Sequence, residues 1–135
     1  MLELPDSPPR MVPLVTKRIL VADSNPDSAE SLALLLELNG HRAVTAANGP
    51  DALALAATFH PEAVFLSLGL PHIGGLDVAR ILCAESHYMR PRLLVALTGD
   101  GRESAREASR SAGFDHHVLK PADPETILKL LKAIG

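Results

Sequence analysis

The chain has 135 residues, which suits one domain of ordinary size, and its 47% hydrophobic content supports a buried core and argues against wholesale disorder. Aromatic residues make up 3% with no Trp, so the core must be aliphatic, and a formal net charge of -3 gives no general attraction to nucleic acid or an anionic membrane. The single cysteine, Cys83, excludes an intrachain disulfide and, with no long apolar run and no basic leader, makes a soluble cytoplasmic domain the expectation.

Residues 1–16 belong to a proline-rich stretch without periodicity and read as a flexible tail or linker; residues 17–135 read as the domain. "RILVA" (Arg18–Ala22) is a continuous apolar run, as expected of a strand buried on both faces. Next, Asn25 or Ser24 can cap a helix with Pro26 in its first turn, and Asn39-Gly40 ends it. "HRAVTA" (His41–Ala46) alternates like an outer strand. Gly49-Pro50 opens a second helix that His60-Pro61 closes. A third strand, "EAVFLS", ends at Ser67, and a helix runs from Gly75 to about Glu85. "RLLVALT" (Arg92–Thr98) is a fourth strand, "RESAREASRSAG" a fourth helix, "DHHVLK" (Asp115–Lys120) a fifth strand, and Pro124 to Ile134 the last helix.

Five strand–helix units in strict alternation predict a parallel α/β sheet covered by helices on both faces. Sites in such open sheets lie beyond the carboxyl ends of the strands, where the strand order reverses. The polar residues there are Asp23 and Ser24 after strand one, Ser67 after strand three, Thr98 after strand four and Lys120 after strand five. A shared pocket is the expectation. The sequence around Ser67 is Phe65-Leu66-Ser67-Leu68-Gly69, which lacks the G-x-S-x-G elbow of a hydrolase, and "DSNPDS" after strand one is no glycine-rich phosphate loop.

"RILVADSNPDSAESLALLLELNGH", "FLSLGLPHIGGLDVAR", "LVALTGDG" and "AGFDHHVLKPADPETILKLL" together resemble the receiver domain of bacterial two-component response regulators, over about Lys17 to Ile134. The resemblance implies a flavodoxin-like (βα)5 three-layer sandwich with strand order 2-1-3-4-5. It also implies an acidic pair after strand one, a phosphoacceptor Asp ending strand three, a Thr and a Lys, with magnesium held by the carboxylates. Asp23, Thr98 and Lys120 match that pattern. Ser24 stands at the second acidic position and Ser67 at the acceptor position, while Gly74 replaces an acidic residue that many members carry.

These differences matter because phosphoryl transfer rests on positioning and charge neutralisation, and Mg²⁺ prefers carboxylate oxygen to a neutral hydroxyl. Asp23 and Lys120 sum to zero charge, against three carboxylates and one ammonium in the intact pattern. Magnesium binding is expected to be weak or absent and no cofactor is expected. Nor is an enzyme expected, since a serine hydroxyl needs an adjacent base to become a nucleophile. An unpaired buried ammonium is costly, so Lys120 is expected to pair with Asp23, with Ser24, Ser67 and Thr98 completing a hydrogen-bond cluster.

The sequence therefore reads as an atypical receiver that acts through phosphorylation-independent contact with a histidine kinase, another regulator or a domain of its own polypeptide. A second reading is an active phosphoacceptor using a displaced carboxylate, Asp100 or Asp77; a third is a small-ligand binding module. His117 falls where the family often places an aromatic residue that moves on activation, and is a candidate for the output face. The resemblance assigns output and homodimer contacts to the fourth helix, fifth strand and last helix. In this chain the fourth helix has an apolar stripe of alanines only, Ala105, Ala108 and Ala112, and is expected to be weakly anchored. The last helix carries Ile127, Leu128, Leu130, Leu131 and Ile134, more than one core face needs.

Overall fold

The computed structural model describes residues 16–84 and 90–135. In chain order it contains β1 (Arg18–Ala22), α1 (Pro26–Leu38), β2 (Arg42–Ala46), α2 (Gly49–Phe59), β3 (Ala63–Ser67), α3 (Gly75–Ala84), β4 (Leu93–Thr98), α4 (Glu103–Ala112), β5 (His116–Leu119) and α5 (Pro124–Ala133). The strands form one sheet in the order β2-β1-β3-β4-β5, with parallel pairings throughout. This is the α/β flavodoxin-like sandwich expected from the sequence. The expected tail lies outside the described residues apart from Thr16, whose hydroxyl donates to the Gly40 carbonyl at 2.9 Å. Glu85, the expected end of α3, also lies outside them.

Strand periodicity divides the core in two. Ile19, Val21, Phe65, Val95 and Leu97 point to one face and pack with Ala29 and Leu36 of α1 and Ile127 and Leu131 of α5. Leu20, Ala22, Val64, Leu66, Leu94 and Ala96 point to the other and pack with α2, α3 and Ala112 of α4. Both faces of β1, β3 and β4 are therefore covered, which is why these strands read as unbroken apolar runs.

The helix starts follow from capping chemistry. The Asn25 side chain accepts from the Asp27 and Ser28 amides, Asn48 from the Asp51 amide and Asp123 from the Thr126 amide. Ser24 takes no part, which resolves the choice between Asn25 and Ser24. Two glycines allow close approaches that no side chain could share. A Cβ at Gly49 would lie 2.1 Å from the Ile73 carbonyl oxygen, and one at Gly75 would lie 2.4 Å from the Ser67 carbonyl oxygen. The second contact seats the start of α3 directly on the end of β3.

Most of the apolar residues named on α5 pack inward, while Leu128 is half-buried and belongs to neither side of the core. Ile127 and Leu131 of α5 are buried, and Leu130 and Ile134 pack against the same core. The large hydrophobics most exposed among the described residues include Leu34 and Leu38 of α1. An α1 segment with apolar residues at consecutive positions cannot point all of them inward.

Candidate functional site

The expected pocket forms at the carboxyl ends of β1, β3, β4 and β5. Sheet register sets its geometry: Ser67 of β3 lies opposite Leu97, and Thr98 stands one residue further along β4, opposite Leu119. The switch in strand order places β1 between β2 and β3, so Asp23 emerges beside Ser67. Its amide donates to the Ala46 carbonyl of β2 at 2.9 Å, which holds the turn after β1 against the sheet.

Asp23 is buried, and its two carboxylate oxygens have separate partners. Oδ1 accepts from the Asn25 amide at 3.0 Å, the residue that caps α1. Oδ2 lies 2.7 Å from Lys120 Nζ. The same ammonium donates to Ser67 Oγ at 3.4 Å. Lys120 is placed by its own amide, which donates to the Thr98 carbonyl at 2.8 Å, and the peptide that follows, Lys120–Pro121, is cis. A charged, desolvated carboxylate is thus met by a charge-assisted contact and a backbone donor.

Three of the five strand-end residues, Asp23, Ser67 and Lys120, form one contact group. The other two do not complete it. Thr98 Oγ1 accepts from the Asp100 amide at 3.1 Å and so ties down the β4–α4 loop. Ser24 is exposed, and no hydrogen bond to its hydroxyl is found among the described residues. The physical reason is chain direction. Asp23 follows a strand buried on both faces and is itself buried, and the next residue turns to solvent ahead of the α1 cap.

Asp100 and Asp77 are each held by an arginine instead. The Asp100 carboxylate accepts from the Arg102 side chain at 2.6–3.2 Å and from its amide at 3.0 Å. That guanidinium keeps the Asp100 carboxyl well below the usual carboxylate range. Asp77 pairs with Arg80 at 2.6 Å on the exposed side of α3. Beside the Asp23–Lys120 pair, a groove of about 530 Å³ runs between α1 and the loop into α5, floored by Leu32, Leu35, Leu97 and Pro121.

A family profile described as the response regulator receiver domain matches residues 19–132. The chain belongs to the response regulator receiver domain family. Protein PilH of Pseudomonas aeruginosa is 30% identical over 117 residues, covering 87% of this chain and 96% of that protein. The CAI-1 autoinducer sensor kinase/phosphatase CqsS of Vibrio cholerae is 27% identical over 117 residues, which span only 17% of its length. Among solved structures, the chemotaxis response regulator CheY4 of Vibrio cholerae shares the fold with a TM-score of 0.81 at 22% identity, over 90% of this chain and 100% of that one.

One set of contacts was not legible beforehand. His117 of β5 lies toward α4, and it is gripped at both ring nitrogens. Nδ1 is 2.9 Å from Ser109 Oγ of α4, and Nε2 is 2.8 Å from the Asp100 carbonyl oxygen. The available signal was the spacing of Ala105, Ser109 and Ala112, which puts a serine in the stripe that α4 turns to the core.

Proposed function

We propose that this receiver domain of two-component signalling acts by phosphorylation-independent protein–protein contact rather than by accepting a phosphoryl group on aspartate. The observation that carries this reading is the 2.7 Å pairing of Lys120 Nζ with Asp23 Oδ2. It engages the one carboxylate at the strand ends with an internal ammonium. The other groups beside it are hydroxyls, Ser67 and the solvent-facing Ser24.

A receiver's magnesium would have to be held here. The donor set fits that ion poorly, because one carboxylate already balanced by an ammonium leaves no net charge to offset its dehydration. Among the described residues no group of three or more His, Cys, Asp or Glu side chains comes together as a metal site. The nucleophile is affected equally. Ser67 Oγ accepts from an ammonium, and the carboxylate nearest it, Asp23, is bound by that same ammonium, while Asp100 and Asp77 are engaged by Arg102 and Arg80.

The contact is assigned to a protein partner: a histidine kinase, another regulator or a further domain of the same polypeptide. No nucleic-acid or membrane role is assigned. The net charge of -3 supports neither, and no helix among the described residues is long and apolar enough to cross a membrane. A cytoplasmic setting and a non-enzymatic role complete the proposal.

Incubation with acetyl phosphate and Mg²⁺, followed by intact-mass measurement, tests this reading. The expected outcome is no phosphoryl adduct. A hydroxylamine-sensitive adduct on Asp23, Asp77 or Asp100 would overturn it, because such sensitivity is the mark of an acyl phosphate.

A further inference from the structure

The contacts of His117 can be worked out proton by proton. The Asp100 carbonyl oxygen, 2.8 Å from Nε2, can only accept, so Nε2 carries a hydrogen. Ser109 Oγ lies within reach of both His117 Nδ1, at 2.9 Å, and the Ala105 carbonyl, at 3.1 Å. In the neutral ring Nδ1 is an acceptor. The single Ser109 hydroxyl hydrogen must then choose between Nδ1 and the Ala105 carbonyl. In the protonated ring Nδ1–H donates to Ser109 Oγ and the hydroxyl donates to Ala105, so every contact is satisfied at once.

We propose that His117 is a proton-responsive clasp that fastens α4 and the β4–α4 loop to β5 more tightly when its ring is protonated. Ser109 and Ala112 are the buried residues of α4, so Ser109 is one of its two anchors. The charges around the ring divide. On the β4–α4 loop, the Asp100 carboxylate favours the proton and is itself bound by Arg102. On α4, Arg106 and Arg110 line the same cleft and oppose it; Arg110 is paired with Glu103, and Arg106 Nε donates to the Gly101 carbonyl. His116 of β5 and Asp115, just before that strand, also line the cleft, with Asp115 engaged by Arg90 and the Leu94 amide, and α5 contributes the uncharged Thr126 and Leu130.

The test is amide hydrogen exchange in α4, expressed as protection factors so that intrinsic base catalysis cancels, at about pH 8 and about pH 5.5, on either side of the ordinary histidine value. Protection of α4 is expected to rise roughly fivefold on acidification, the difference between a neutral and a charge-assisted hydrogen bond. His117→Gln, which keeps His116 as an internal control, removes that rise. Ser109→Ala, which spares the Nε2 contact, also removes it and keeps the question open to test should His117→Gln fail to fold. Nitrogen NMR of the native ring at about pH 8 is expected to place the single proton on Nε2. A flat native profile, a rise that survives either substitution, or the proton on Nδ1 would overturn the proposal.

Discussion

Lys120→Met is expected to lower the melting temperature of this receiver by roughly 8 °C, from a loss of about 2 kcal/mol. The Asp23 side chain is only 4% exposed, so removing the ammonium leaves a desolvated carboxylate with the Asn25 amide as its remaining partner. Deleting one partner of a fully buried ion pair costs about 3–5 kcal/mol. Lys120 is 31% exposed, and water entering on its side offsets part of that cost. Adding Asp23→Asn to the Lys120→Met variant removes the stranded charge and should restore most of the lost stability. A double-mutant cycle followed by thermal unfolding then gives a coupling energy of about 1 kcal/mol or more. An unchanged melting temperature in Lys120→Met would show that the pair does not hold the pocket.

The converse change introduces the carboxylates that the proposed function takes to be missing. In Ser24→Asp/Ser67→Asp a second carboxylate would stand beside Asp23 and Lys120, with a third at the exposed position 24. Without metal this variant should melt below the native protein, because the carboxylate placed at the buried position 67 would stand beside the Asp23 carboxylate. Mg²⁺ should then raise its melting temperature. At a concentration ten times the dissociation constant, binding to the folded state alone contributes about 1.4 kcal/mol, or roughly 5 °C. The native protein should show no Mg²⁺ response beyond that of sodium chloride at matched ionic strength. Equal stabilisation of both by Mg²⁺ would place its binding outside this pocket.

Much of the fold was legible because its signals are local. Unbroken apolar runs marked β1, β3 and β4; Asn25 with Pro26, Gly49-Pro50 and Pro124 marked helix starts; Gly40 and Gly113 marked ends. The Asp23–Lys120 pair was legible for a different reason, since a buried ammonium at a strand end requires an anion and the topology offers Asp23. What could not be read depends on where neighbouring segments arrive. Ser24 leaves the cluster because the chain turns outward one residue after β1. Thr98 leaves it because its hydroxyl meets the Asp100 amide. The clasp at His117 depends on the rotational setting of α4, which its alanine-rich stripe barely specifies. The glycine at 75 gave no sign of its function until α3 was seen against the Ser67 carbonyl. Leu34 and Leu38 were overlooked because a leucine-rich α1 reads as a helix wholly committed to the core.

The most direct test is an amide NMR titration of the native protein with Mg²⁺ and beryllofluoride, a mimic of the bound phosphoryl group, alongside the Ser24→Asp/Ser67→Asp variant. The native protein is predicted to show no saturable shifts at Asp23, Ser67, Thr98 or Lys120, while the variant shows them. Saturable shifts at those four residues in the native protein would contradict the account.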